Sequence, residues 1–274
     1  MTDFERIRQY YKYFDEKNRL INSNSGKLEY VMTTDILEKN LPSEGNILDL
    51  GGGAGAYSFY LAEKGYKVYL ADLSEELIMM AKQQARESGD SNLISCDVVN
   101  AIDLSIYNDN QFDAILLLGP LYHLLEKDER EKCISEVRRV LKTGGIVFAG
   151  FIPYLSGSIA IVDRYFGHPN QVNADNLMRV FQYGQFRNLE NAGFQEGYYP
   201  TSAEIEMLFR QNGFNKLLTR SVRGFGYEKE DMLEQMRQKD PSMFDTVMKI
   251  INETAENSAI IEMCGHAIHV CQKE

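Results

Sequence analysis

The chain has 274 residues, 44% of them apolar, with 29 basic and 40 acidic side chains and a formal net charge of −11. Such a length and apolar share can bury a sizeable core in one large domain with insertions. The acidic balance argues against a surface that tracks nucleic-acid phosphates, and the longest uncharged apolar stretch, 114–125, falls well short of the roughly 20 residues that span a bilayer.

Four cysteines (Cys96, Cys133, Cys264, Cys271) lie scattered with no CxxC pair, which fits reduced thiols better than a disulfide framework or a zinc knuckle. The opening "MTDFERIRQYYKYFDEKNRL" is charged throughout and shows no apolar h-region, so a cytoplasmic location with no membrane association is expected.

In chain order, residues 1–45 form a flap rich in Tyr10, Tyr11, Tyr13 and Phe14 ahead of the first strand. "NILDL" (46–50) reads as a buried strand and "AYSFYLAEKG" (56–65) as a helix turning Phe59, Tyr60 and Ala62 inward. "KVYLADLS" (67–74) is the next strand. Ser74 caps the helix after it, Glu75 and Glu76 suit the positive end of its dipole, and Gly89 stops it. "NLISCDV" and "FDAILLLG" are two more strands. A helix follows between Asp128 and Gly144, with Cys133, Ile134, Val137 and Leu141 on one face and a capping box from Asp128 to Glu131. "GIVFAGFI" is strand five. A second capping box, Thr201 with Glu204, opens a late helix, and "NKLLTRSV" and "HAIHVCQ" supply the last strands. Repeated β–α units of this length predict an α/β, doubly wound, Rossmann-like, mostly parallel sheet with a core at 46–150 that ends within 201–274. Residues 151–200 break the rhythm as a cap insertion holding 10 of the 30 Phe and Tyr, and about 227–263 form a second, helical one. The cap aromatics either pack a helix pair together or line a substrate pocket.

The stretch "NILDLGGGAG" carries the function. Ligands of such sheets bind beyond the carboxyl ends of the strands, and glycines in the first turn let the backbone come close. Gly51, Gly53 and Ala56 satisfy the dinucleotide pattern G-x-G-x-x-G/A, and Asp72 stands where a ribose carboxylate would. Asp49 discriminates: it repels a pyrophosphate and attracts a cofactor bearing an ammonium and a sulfonium, which favours S-adenosylmethionine.

"ILDLGGGAGAYSFYLAEKGYKVYLADLSEELI", followed by "ISCDV", "FDAILLLGPLYHL" and "EVRRVLKTGGIVFAGFI", resembles the class I S-adenosylmethionine-dependent methyltransferases, especially the small-molecule group similar to the ubiquinone and menaquinone biosynthesis enzymes, over roughly residues 45–152. The resemblance implies a seven-stranded sheet with an antiparallel last strand. It also implies that Asp49 and the loop Gly51, Gly53, Gly55 wrap the methionine end of the cofactor and that Asp72 takes the ribose hydroxyls. By the same resemblance Leu73 would pack on adenine, Asp97 accept the adenine amino group, the backbone at Val98 meet a ring nitrogen, and Gly119 lie on the methionyl side. Gly52 departs from the pattern, since many members carry Cys or a larger residue there. "LGPLYH" lacks the Asp/Asn-Pro-Pro-aromatic tetrad of nucleobase amine methylation, so a small-molecule acceptor is expected, with no nucleic acid, and the oligomeric state stays open. Tyr122 and His123 fall at the acceptor, with His123 the candidate general base. Tyr11 and Arg19 are candidates to close over the cofactor's carboxylate end, and Tyr154, Tyr165, His168 and Arg179 to face substrate from the cap. His266 and His269 alternate across their strand, and His266 with Cys264 is too small a set for a metal. Two alternatives remain: an NAD(P)-dependent oxidoreductase, and a protein that binds S-adenosylmethionine without turning it over.

Overall fold

The computed structural model describes residues 2–89, 91–190 and 193–274. The chain opens with α1 (Phe4–Tyr13), a 3₁₀ turn (Glu16–Asn18), α2 (Arg19–Asn22) and α3 (Asn24–Asn40). Asp3 caps α1 by accepting from Arg6 N, and Ser23 caps α3 by accepting from Gly26 N. The core follows as β1 (Asn46–Leu50), α4 (Ala56–Glu63), β2 (Lys67–Asp72), α5 (Glu75–Ser88), β3 (Leu93–Val98), β4 (Phe112–Leu117), a 3₁₀ turn (Pro120–Tyr122), α6 (Lys127–Val140) and β5 (Leu141–Phe151). The cap holds α7 (Tyr154–Gly167), α8 (Ala174–Tyr183), β6 (Gln185–Arg187) and β7 (Glu196–Tyr198). The chain closes with α9 (Ser202–Gln211), β8 (Phe214–Ser221), α10 (Glu230–Lys239), α11 (Pro241–Thr254), α12 (Ser258–Ile261) and β9 (Ala267–Lys273).

Seven strands form one sheet in the order β3-β2-β1-β4-β5-β9-β8. The first five pair in parallel, and β9 runs antiparallel to both β5 and β8. Strand β1 lies between β2 and β4, so connections diverge to opposite sides there and a crevice opens beyond its carboxyl end. Alternate side chains of each strand feed two cores, as the twofold period of a pleated strand requires. Leu48, Leu50, Ile115 and Leu117 pack with Cys133, Ile134, Val137 and Val140 of α6 on one face. Ile47, Ala114, Leu116 and Phe148 pack with Leu28, Met32, Ile36 and Leu37 of α3 on the other. Among the described residues no helix is long and apolar enough to cross a membrane.

Several local expectations are corrected. Helix α4 turns Tyr57, Ser58, Leu61 and Ala62 inward, while Phe59 and Tyr60 are half-buried, because the helix begins one residue after the αL Gly55 and that sets its rotation. Helix α6 starts at Lys127 with Glu126 as its N-cap and no side-chain cap, so the Asp128–Glu131 box does not form. Strand β5 begins at Leu141, ahead of the glycine pair. Asp113 accepts from Asn46 N at 2.9 Å and Lys142 Nζ at 2.7 Å, pinning the start of β1. The Ser74 cap, the αL Gly89 and the Thr201–Glu204 capping box all form. The second insertion lies away from the crevice, with Leu233, Ile251 and Ala255 packed against Leu28 and Met32 of α3.

Candidate active site

The turn after β1 is built by glycines at positive φ, 77° at Gly51, 58° at Gly53 and 90° at Gly55. A side chain would not fit there. A Cβ on Gly51 would stand 2.5 Å from Pro120 Cδ, and one on Gly52 would stand 2.5 Å from the Asp49 carboxyl carbon, which is the physical reason for the small residues here. The backbone donors of the turn are engaged internally: Gly51 N and Gly52 N donate to Ala71 O, Gly53 N to Asp72 Oδ2 at 2.8 Å, and Gly55 N to Gly52 O.

A cavity of about 440 Å³ opens over this turn. One end is walled by Asp72, Leu73, Leu77, Val99, Asn100 and Ala101, with Phe4 and Ile7 of α1 laid over it. The other end is walled by Asp49, Gly119, Tyr122 and His123 from the sheet, and by Tyr11, Glu16, Arg19, Tyr30 and Tyr57 from the helices. The flap expected at 1–45 is therefore the roof of the cavity.

Two buried carboxylates flank the turn. Asp49 is 1% exposed and accepts from Ser58 Oγ at 2.7 Å. Burial lifts it to about 6, with the Asp72 charge adding to the effect. Asp72 accepts from Gly53 N and Ser74 N, both at 2.8 Å, and burial lifts it too to about 6. A carboxylate has about four acceptor sites, so acceptor capacity remains for a ligand's hydroxyl.

An aromatic and ionic cluster closes the opposite end. His123 Nε2 lies 2.8 Å from the Tyr11 hydroxyl, and its ring contacts those of Tyr122 at 4.8 Å and Phe194 at 5.1 Å. Burial pushes the imidazole down to about 4, so it stays neutral at physiological pH. Arg19 bridges Glu16 at 3.0 Å and Glu29 at 2.7 Å, and Glu29 Oε2 lies 3.1 Å from His266 Nδ1. Burial raises Glu29, but His266 and Arg19 outweigh it and hold the carboxyl far below its usual range; Glu16 is raised, by burial above all.

The expected residues divide by location. Asp49, Gly51, Gly53, Asp72, Leu73, Gly119, Tyr122, His123, Tyr11 and Arg19 share the one cavity. Gly55 sits behind the turn against Phe59 and Leu70. Asp97 is outside the lining, its carboxylate accepting from Ser95 Oγ at 2.6 Å and the Tyr107 hydroxyl at 3.3 Å, and Val98 is half exposed; Val99 to Ala101 wall the cavity instead. Tyr154, Tyr165, His168 and Arg179 lie outside the lining as well. Tyr154 packs on the cap's own core of Ile161, Val172, Val180, Phe186 and Tyr199, while Tyr165 points to solvent beside Phe166. His168 ends α7, and Arg179 bonds Gln185. Tyr13 is 82% exposed. His269 is bonded to Thr219 across the sheet, and the Cys264 thiol donates to backbone carbonyls.

Glu16, which lines the cavity, and Glu29 and His266, which join the ion-pair chain from Arg19, are not picked out for this cluster by the sequence. Glu29 had a usable signal: with Met32, Thr33 and Ile36 it occupies the inward face of α3, and a carboxylate at a core position needs a partner.

A family model described as a methyltransferase domain matches residues 48–149. Phosphoethanolamine N-methyltransferase 1 of Zea mays is 30% identical over 210 residues, 76% of this chain and 38% of that protein. A ubiquinone/menaquinone biosynthesis C-methyltransferase of Yersinia enterocolitica is 36% identical over 103 residues, 36% of this chain and 39% of that one. The matches therefore span well under half the length of these curated relatives. Among solved structures, the 1,6-didemethyltoxoflavin-N1-methyltransferase of Burkholderia thailandensis, with bound 1,6-didemethyltoxoflavin and S-adenosylhomocysteine, superposes with a TM-score of 0.58 at 14% identity, covering 98% of this chain and 87% of that one. With the seven-stranded sheet and the glycine turn described above, these matches identify residues 48–149 as a class I S-adenosylmethionine-dependent methyltransferase domain.

Proposed function

We propose that the protein transfers a methyl group from S-adenosylmethionine to a small molecule. The observation that carries this reading is the glycine turn whose own amides are already donated, set between two buried carboxylates. A pyrophosphate would find Gly51, Gly52, Gly53 and Gly55 with no free N–H and two acids close by, which disfavours a nicotinamide dinucleotide. A cationic cofactor finds the opposite. The side-chain-free cradle at Gly51 and Gly52 fits its methionine end, Asp49 supplies negative charge there, and Asp72 keeps acceptor capacity for a ribose hydroxyl. Leu73, Val99 and Ala101 offer apolar faces for a purine.

When bound, the cofactor supplies a methyl group already activated on a sulfonium, so the protein's task is to orient the acceptor and exclude water. Helix α1 does the excluding, being tied to the sheet by Tyr11 to His123 and to the cap by Arg6 to Gln195. His123 and Tyr122 act at the acceptor. His123 is neutral, as expected, yet burial leaves it a weaker base than an ordinary histidine, so its role is to orient the acceptor through Tyr11 more than to store a proton. We infer a cytoplasmic protein that does not bind nucleic acid, in line with the net charge of −11 and an acidic cavity.

The test is to incubate the protein with S-adenosylmethionine and separate panels of small amines, phenols, thiols and carbon acids while following S-adenosylhomocysteine. Product from at least one panel is expected. No product from any panel, with cofactor binding intact, would favour a cofactor-binding protein without turnover.

A further inference from the structure

Resting on the methyltransferase reading, we propose that the acceptor is an amine, and that the wall of Tyr11, Tyr122 and His123 is a recognition site for the methylated ammonium it becomes. The rings form a continuous run. Tyr10 meets Tyr11 at 5.0 Å, Tyr11 meets His123 at 5.5 Å, His123 meets Tyr122 at 4.8 Å, and Tyr122 meets His266 at 5.9 Å. This run stands beside the Gly119 end of the cavity, where a Cβ on Gly119 would lie 3.7 Å from the Tyr122 hydroxyl.

Charge selects among acceptors. Among the described lining residues the acids are Glu16, Asp49 and Asp72 and the bases Lys17 and Arg19. Arg19 is already spent between Glu16 and Glu29, and Lys17 is solvent-exposed, so among the described lining residues no buried cation is left unpaired. A phenolate, thiolate or carbanion would be an anion among carboxylates, with neither a buried unpaired cation to hold it nor a strong base to make it. A free amine reverses the problem. Its lone pair closes the N–C bond, the electron pair of the broken C–S bond stays on sulfur, and the nitrogen becomes cationic. The proton of the resting ammonium leaves to solvent before the step. Tyrosine faces and nearby carboxylates attract the cation formed, whereas they offer a neutral product nothing.

The probe is choline against its neutral isostere 3,3-dimethylbutan-1-ol, titrated calorimetrically into protein saturated with S-adenosylhomocysteine. Choline should bind at least about tenfold more tightly, the scale of a desolvated cation–π contact. In Tyr122→Leu the difference should shrink to within about threefold while S-adenosylhomocysteine affinity, measured first, shows that the variant is folded. Tyr11→Leu serves if that variant fails to fold. Equal binding of the two probes, or binding of neither by the saturated protein, overturns the amine assignment and leaves the methyltransferase reading standing. Failure of S-adenosylhomocysteine itself to bind overturns both, and the initial titration separates that case.

Discussion

In the proposed function Asp49 and Asp72 are the residues that hold the cofactor, and their environment would make binding depend on pH. Both ordinarily ionise near 3.8 and are lifted to about 6 by burial. The native state therefore holds more protons than the unfolded chain between about pH 4 and 6, and ligand-free stability falls as pH rises through that window. Cofactor binding has the opposite slope, since a cation needs the ionised forms. S-adenosylmethionine should bind several-fold more weakly at pH 5.5 than at pH 7.5 by calorimetry, with protons released on binding; an affinity that is flat across this range would count against the two carboxylates. His123 behaves differently. With its imidazole near 4, turnover on an established acceptor should show no histidine inflection between pH 6 and 9. His123→Asn should cost about 10²-fold in turnover, the low end for an acid–base group, and leave cofactor affinity nearly unchanged. A break near pH 6.5 would restore the general-base role expected from sequence.

At the scale of elements, the turn between β1 and α4 is the part the sequence states most openly. Four glycines after an apolar strand admit few conformations, and Gly51 is the test position. Its φ of 77° and a would-be Cβ 2.5 Å from Pro120 Cδ predict that Gly51→Ala loses about 1–3 kcal/mol, read as a lower Tm. An unchanged Tm would mean that the turn is less confined than its geometry states. Apolar periodicity and caps likewise made β1 to β5 legible, because each is local. What escaped was long-range. Glu16, Glu29 and His266 meet through three separate segments, so no spacing rule joins them. The cap aromatics misled for a related reason: composition enriches the segment, but only packing decides that Tyr165 and Phe181 face solvent while Phe186 and Tyr199 fill the cap's own core.

Across the whole molecule, two bodies wall the cavity and a third supports them: the sheet offers the turn and its carboxylates, the N-terminal helices roof them, and the cap braces the roof through Phe194 and Gln195. The second insertion instead thickens the outer layer behind α3. In the proposed function such a division would leave cofactor binding to residues 46–150 and acceptor selection to the roof, as one sheet architecture can serve unrelated acceptors. The central claim is that the cavity holds S-adenosylmethionine and not a dinucleotide. The direct measurement is thermal denaturation with S-adenosylhomocysteine or NADH, on the native protein and on Asp72→Ala. S-adenosylhomocysteine at about 100 times its dissociation constant should stabilise the native protein by about 2.7 kcal/mol, with a matching rise in Tm that is lost in Asp72→Ala, while NADH does nothing. A rise with NADH and none with S-adenosylhomocysteine would contradict the account.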